Sequence, residues 1–569
     1  MYFLALAVDY DGTIARDGVV DPATCEALRR LKSTGRRLIL VTGRELPDLR
    51  RQFSETALFD RIVAENGALL HDPSNGRETL LAAPAPRSVV ERLAEMKVAP
   101  VSVGRCIIAT WEPHQAAVLE VIHELGLELQ VIFNKGAVMI LPPNVNKASG
   151  LLAALKELDL SPHNVAAVGD AENDHAFLGA CGLAAAVANA LPAVKRMADI
   201  VLAGDHGAGV AELAQRLIAE DATLAPKTKH GLMLGRDRAG MEIYLQPYGG
   251  SVLIIGPSAS GKSTLATALT EHIAEKEFEF CVVDPEGDYV DLEDAVCVGG
   301  PTIQPVVAEA LKLLHENGVN LVMNTQALGL KDRRRLFASF LLQISRLRQR
   351  TGRPHWLIID EAHQVLPAAR DDALRGWIDA IPAAIMITAY PQEVAREALE
   401  TVTAVIAVGD EPFVSLAACA AALGTTIATD PVELSCGEAL LWAPGASRPP
   451  QPVKVEPPIQ IHKRHAGKYA VGDVGESRSF YFRNPRDGTL ISARNLYRFL
   501  DVAGAVDDGT WERHLRAGDY SAWFRHVIKD EELACEAARV EQNPTLDAYE
   551  SRRLIRKAVW RRYAGPTGG

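Results

Sequence analysis

FLALAVDYDGT, residues 3–13, is the stretch on which the fold turns: an apolar run leads into Asp9-Tyr10-Asp11-Gly12-Thr13. In a parallel α/β sheet, side chains at the carboxyl ends of strands face the ligand crevice. Asp9 and Asp11 stand two residues apart where a strand gives way to a loop, so both can reach one site. Gly12 permits the tight turn. An Asp-Gly turn after a strand is common in itself, so its meaning depends on the residues further along.

Working outward, the apolar strands RLILVT (37–42) and VAAVGD (165–170) alternate with the helical stretches PATCEALRRLKSTG and KASGLLAALKEL. That alternation implies a parallel sheet covered by helices on both faces. The second strand ends in Thr42-Gly43-Arg44, a hydroxyl and a glycine at a strand-to-helix junction, suited to phosphate oxygens. Asn146-Lys147 opens a helix, where the dipole disfavours a cation and an anionic partner is expected. Gly169-Asp170 ends another strand, followed by Asn173 and Asp174. Carboxylates clustered after a buried strand repel unless a cation sits among them, and hard oxygen ligands favour Mg²⁺.

The ordered set DxDGT, TGR, Lys and GDxxND resembles the haloacid-dehalogenase (HAD) superfamily, and within it the Cof-type and sucrose-phosphatase-like branch. The AENGA segment (64–68) also fits that branch. The resemblance covers residues 1–217 and implies a Rossmann-like core with an inserted α+β cap at about 73–141. It implies that Asp9 attacks phosphorus, and that Asp11 protonates the leaving oxygen and then activates water. Thr42, Gly43, Lys147 and Asn173 would hold the phosphoryl group. Asp9, the backbone carbonyl of Asp11, and Asp170 would bind Mg²⁺, with Asp174 close by. The implied substrate is a small phosphorylated sugar or organic phosphate.

A second α/β block, 228–450, carries the strands SVLIIG, FCVVD, NLVMNT, HWLIID, AAIMITA and AVIAVG. SVLIIG runs into Gly256-Pro257-Ser258-Ala259-Ser260-Gly261-Lys262-Ser263-Thr264, which fits GxxxxGK[ST] between a strand and a helix. The expected nucleotide contacts are Gly256, Ser258, Ser260, Gly261, Lys262, Ser263 and Thr264, with Ser263 on Mg²⁺. HWLIID ends in Asp360-Glu361. Asp360 is expected to hold Mg²⁺ through water and Glu361 to polarise the attacking water, which points to ATP hydrolysis.

These motifs, with VVDPEGDY (282–289), ITAYPQEV (387–394) and the hairpin-like GLMLGRDRAGMEIYLQP (231–247), resemble the HerA/VirB4-like branch of RecA-type ATPases. That resemblance implies a RecA-like P-loop domain, a sensor at Thr388 or Gln392, and a homo-oligomeric ring using an arginine such as Arg346, Arg348 or Arg396.

Residues 218–231 read as a linker, and SRPPQPVKVEPPIQ (447–460), with five prolines, as an extended connection. The block 461–569 reads as a small, mainly helical module rich in aromatics and arginine. His462 to Tyr469 is a basic segment, and SRRLIRKAVWRRY (551–563) a basic amphipathic helix. The formal charge of -12 opposes a nucleic-acid-binding polycation. The eight cysteines form no metal-ligand spacing and read as scattered thiols in a reducing, cytoplasmic setting. No apolar run spans a bilayer.

The sequence therefore points to a multidomain α/β chain, a bifunctional Mg²⁺-dependent phosphatase joined to an ATP-hydrolysing domain. The alternative is a nucleic-acid motor whose phosphatase trims DNA or RNA ends.

Overall fold

The computed structural model describes residues 1–84, 86–134, 136–257, 260–290, 292, 294–368, 384–427, 432–435, 437–445, 448–458, 479–484, 488–528 and 530–563. The chain divides into two units: Met1–Gly231 with Arg346–Arg353, and Leu232–Ser345 with Pro354–Gly569.

In the first unit the fully buried strand Ala5–Asp9 lies inside an eight-stranded sheet. The order is Ile200–Val201, Leu183–Ala186, Val165–Gly169, Ala5–Asp9, Arg37–Val41, Arg61–Ala64, Leu69–His71 and Glu78–Leu80. The first six run parallel. Val8 pairs with Val168 and Asp9 with Val41, so three strand ends finish level. Asp9, Thr42 and Asp170 therefore leave the sheet along one edge, where an α/β fold binds its ligand.

The cap is an antiparallel sheet, Gln130–Asn134, Ala137–Leu141, Ile108–Trp111 and Ser102–Val103, backed by the helices Arg87–Glu95 and Gln115–Glu124. Val89, Leu93, Val118, Val121, Val138 and Ile140 form its core. Its first element comes later than 73. Glu78–Leu80 still pairs with Leu69–His71 in the core sheet. Asp72 to Gly76 is only the hairpin turn between them, with Asp72 accepting from the Ser74 N–H and hydroxyl. Its polar composition made a tight turn look like a domain boundary.

The stretch 218–231 is folded rather than a linker. Asp221 accepts from the backbone N–H groups of Tyr2 and Phe3 and from Arg36. His230 is fully buried.

The second unit holds an eleven-stranded sheet. Its order is Glu242–Leu245, Leu232–Asp237, Gln451–Val455, Glu438–Trp442, Val402–Ala407, Ser251–Ile255, Ala384–Thr388, Trp356–Ile359, Phe280–Asp284, Asn320–Asn324 and Ala295–Gly299. The strands from Val402–Ala407 onward are parallel. Gln451–Val455 corrects the reading of 447–460 as a connection: it is a strand with a partner on each side. Proline is tolerated because Pro452 pairs only with Leu440, and pairing to the other neighbour begins at Val453.

The C-terminal hairpin Phe480–Arg483 and Leu490–Ala493 is followed by the helices Leu496–Ala505, Asp508–Ala517, Asp519–Trp523, Glu531–Glu541 and Ala548–Tyr563. Phe480, Phe482, Phe499, Trp511, Tyr520, Trp523 and Phe524 interlock as its core, so these aromatics are packing residues. Cys535 is disulfide-bonded, a departure from the reading of all eight as scattered thiols. Among the described residues no helix is long and apolar enough to cross a membrane.

Candidate functional site

Asp9, Asp170 and Asp174 are buried, and each offers a carboxylate oxygen within 4.8 Å of the others. Lys147 reaches into this cluster. Its Nζ donates to Asp9 Oδ1 at 2.6 Å and to Asp174 Oδ1 at 2.5 Å. The helix Lys147–Leu158 starts with a capping box in which Asn146 and Ser149 satisfy each other's backbone N–H groups. The cap leaves Lys147 to point away from its own helix toward the carboxylates. Gly67 allows this approach: a Cβ there would stand 1.9 Å from the Asn146 carbonyl oxygen. Asp174 Oδ2 accepts the backbone N–H groups of Asp170 and Ala171, and Thr13 Oγ1 donates to Asp170 Oδ1 at 3.2 Å.

The charges do not balance. Burial, then the neighbouring Asp174, pushes the Asp9 carboxyl up to about 8; Lys147 opposes this and Asp170 adds to it. Burial alone lowers the Lys147 ammonium, but Asp174 and Asp9 outweigh it and hold the group charged. One ammonium among three buried carboxylates leaves excess negative charge. This all-oxygen donor set fits a hard divalent cation.

Thr42 is buried at the next strand end, and its Oγ1 accepts from the Arg44 N–H at 3.1 Å. Gly43 lies under the cap: a Cβ there would stand 3.7 Å from Met139 Sδ and 3.8 Å from Asn173 Nδ2. Asn173 Nδ2 donates to Asn66 Oδ1 at 3.2 Å. Asn66 Nδ2, Asn173 Oδ1 and Asn134 Oδ1 are buried without hydrogen-bond partners. Orphaned polar atoms beside a carboxylate cluster suit a polar ligand.

Asp11 stands apart from the cluster. Its carboxylate accepts two bonds from Arg44, each 2.7 Å.

Sequence reasoning singled out AENGA but gave its residues no role. Glu65 and Asn66 both lie at positive φ, 52° and 53°. Their backbone N–H groups donate to Arg44 O and Thr42 O. The Glu65 carboxylate accepts from the N–H groups of Arg105, Cys106 and Ile107, tying the cap to the core. The Asn66-Gly67 pair, a frequent left-handed turn dipeptide, was the available signal.

In the second unit, Gly256 leaves the strand Ser251–Ile255 against a neighbouring backbone. A Cβ there would stand 2.4 Å from the Val408 carbonyl oxygen. Gly261, at φ 94°, precedes the helix Lys262–Glu275. Lys262 is buried and donates to the Gly256 and Pro257 carbonyls at 3.0 and 2.8 Å, closing a ring of backbone. Ser263 is half-buried, Thr264 is exposed, and Ser258 lies outside the described residues. The Ser260 hydroxyl is buried without a partner.

Asp360 is buried at the end of Trp356–Ile359, its carboxyl held well above the usual range by burial, then by Glu361, Asp288 and Asp284. Glu361, at φ 44°, has Oε2 3.3 Å from His363 Nδ1, which lies 3.1 Å from Thr388 Oγ1. Thr388 thus joins the acidic pair, whereas Gln392 is exposed. Arg396 pairs with Glu400 on its own helix. A glycine loop with a lysine at a helix start, facing two carboxylates, fits a nucleoside triphosphate with its cation.

Residues 6–99 and 106–213 match the family model described as haloacid dehalogenase-like hydrolase, and residues 246–389 one described as AAA domain. The phosphoglycolate phosphatase of Methanothermobacter thermautotrophicus is 30% identical over 226 residues, which are 38% of this chain and 98% of that protein. The phosphoglycolate phosphatase of Methanopyrus kandleri is 31% identical over 222 residues, 37% of this chain and 96% of that protein. A solved haloacid dehalogenase-like hydrolase from Bacteroides thetaiotaomicron is similar over 38% of this chain and 99% of its own, with 19% identity and a TM-score of 0.33.

Proposed function

We propose, for a chain that belongs to the haloacid dehalogenase-like hydrolase family and carries an AAA domain behind it, a Mg²⁺-dependent phosphomonoesterase acting through Asp9. The chain is a phosphatase and an ATPase in one polypeptide. The observation that carries the reading of the first site is Lys147 set between Asp9 and Asp174 at the carboxyl edge of the sheet, with Thr42 alongside.

In this reading an Asp9 carboxylate oxygen attacks phosphorus, and the bond to the leaving oxygen breaks. Asp11, released from Arg44, gives that oxygen a proton. Asp11 then takes a proton from water, whose oxygen attacks the aspartyl-phosphate and frees both Asp9 and inorganic phosphate. Thr42, Lys147 and the Asn66–Asn173 pair hold the phosphoryl oxygens in place. Asp9, Asp170 and the Asp11 carbonyl would hold Mg²⁺, with Asp174 beside them. When bound, the ion screens the repulsion between Asp9 and the phosphate. The cap strand Gln130–Asn134 packs against the Glu172–Asp174 turn, so the space over the cluster is confined. A confined space suits a small organic phosphate. The first candidate is 2-phosphoglycolate, a reading supported by relatives that carry the name phosphoglycolate phosphatase, with small sugar phosphates next.

At the second site, Lys262, Ser263, Asp360 and Glu361 would bind and hydrolyse Mg²⁺-ATP, with turnover regulating the phosphatase or assembling a homo-oligomeric ring. The nucleic-acid reading is less well supported. In the C-terminal helix Arg552, Arg553, Arg561 and Arg562 pair with Asp508, Glu550, Glu536 and Asp530 of their own chain.

The test is phosphate release from a panel of small phosphate esters, comparing wild type, Asp9→Asn and Lys262→Ala. The proposal expects Mg²⁺-dependent turnover that Asp9→Asn abolishes and Lys262→Ala leaves intact at saturating substrate without ATP. No turnover of any ester would overturn it.

A further inference from the structure

We propose that the C-terminal helical module forms one wall of the chain's own nucleotide site, closing over the nucleoside of an ATP whose phosphates lie on the P-loop. This deepens the reading of Lys262 as an ATP ligand and rests on it.

A cavity of about 1180 Å³ opens beside the P-loop. Its floor includes Ser260 and Leu265, its side Asp410 and Phe413, and its far wall Arg525 and Arg539 from the module. Ligand pockets run to ~300–1,000 Å³, so it can admit a whole nucleoside.

Its position agrees with what a triphosphate needs. The P-loop strand Ser251–Ile255 has Ala384–Thr388 and then Trp356–Ile359 on one side, and Val402–Ala407 on the other. Asp360, Glu361 and Thr388 stand on the first side; the cavity opens beyond Val402–Ala407. A phosphate chain lying on the loop with its terminal phosphate toward those carboxylates must leave its nucleoside on the cavity side.

Two further observations point to a ligand there. The buried Ser260 hydroxyl has no partner. Arg525 sits on a single π-helical turn, Phe524–Ile528, a rare form that gathers at functional sites. The widened turn keeps Phe524 and Ile528 fully buried in the module core while Arg525 is carried to the cavity. There its Nε lies 3.8 Å from Asp410 Oδ1. Phe413 and Leu265 offer apolar lining to a purine, and the planar guanidinium of Arg525 on the same cavity offers it a stacking partner. Asp410 is then available to ribose hydroxyls.

The experiment compares two ligands on the full chain with Mg²⁺: ATPγS, which uses P-loop and cavity, and inorganic tripolyphosphate, which uses the P-loop alone. Calorimetric titration should show Arg525→Ala binding ATPγS about tenfold more weakly, with tripolyphosphate affinity unchanged. Asp410→Ala, on an exposed loop, should weaken ATPγS in the same selective way. In the wild type, ATPγS but not tripolyphosphate should slow amide exchange across residues 524–541. Selective loss in either variant together with that protection supports the module as a wall. Unchanged ATPγS affinity in both folded variants, or equal exchange at 524–541 with both ligands, overturns it. A wild type that binds neither ligand overturns instead the underlying ATP reading.

Discussion

Replacing Lys147 with Met removes the only ammonium bonded to the carboxylate cluster among the described residues and puts a neutral side chain of similar length in its place. The Lys147 side chain is 2% exposed, so no water takes over its two bonds. Each charge-assisted hydrogen bond is worth about 1.5–3 kcal/mol, and stripping one partner from a buried pair costs about 3–5 kcal/mol. Part of that is relieved, because burial and Asp174 already raise the Asp9 carboxyl, and losing the ammonium raises it further and favours its neutral form. The expected loss is therefore about 3–4 kcal/mol, or ~6–16 °C in the melting temperature of a domain of this size. Mg²⁺ should recover much of it, since the variant offers the ion a more negative site. Phosphatase turnover should fall ~10²–10³-fold, the usual cost of removing a transition-state cation or donor. The assay is differential scanning calorimetry of the first unit's transition with and without Mg²⁺, beside steady-state phosphate release. A variant that melts with the wild type and turns over within about twofold of it would refute the role given to Lys147.

Other expectations follow from the same geometry. Asp11→Asn should stay folded, since an amide oxygen still accepts from Arg44, yet lose ~10²–10⁴-fold in turnover; wild-type rates would contradict an acid–base role. Glu65→Ala strips the acceptor from three cap N–H groups, so hydrogen exchange at residues 105–107 should accelerate at least tenfold; unchanged protection would show that the tie is not needed. Burial holds the His230 imidazole down at about 4 against ~6.5 unfolded. The unfolded chain thus binds the extra proton between those values, and stability falls as pH drops through that window, by up to about 3 kcal/mol. Urea unfolding at pH 7 and 4.5 should show a smaller acid loss in His230→Gln; equal losses would rule the residue out.

Much of this was legible because strand-end motifs are local. Asp9, Thr42, Asp170 and Lys262 each follow a recognisable apolar strand or open a recognisable helix, and a parallel sheet brings strand ends together. What could not be read depended on distant partners. Nothing in AENGA says that the Glu65 carboxylate meets N–H groups some 40 residues away. Five prolines signal an extended chain, but not that Gln451–Val455 is taken into a sheet, which requires Leu232–Asp237 from far earlier in the chain. The aromatics of 480–524 are equally suited to stacking on bases or on one another, and only their mutual packing distinguishes the two. Arg525 carried no motif because a π turn leaves no pattern in sequence.

The most direct test of the central claim is to locate the phosphorylated residue. Wild-type protein turning over 2-phosphoglycolate, or whichever ester the panel finds best, is quenched with borohydride, which reduces an acyl phosphate to an alcohol. Peptide mass spectrometry then reads the site. The prediction is reduction at Asp9, dependent on Mg²⁺ and absent from Asp9→Asn. Reduction at another residue, or an Asp9→Asn enzyme that still turns over, would contradict it.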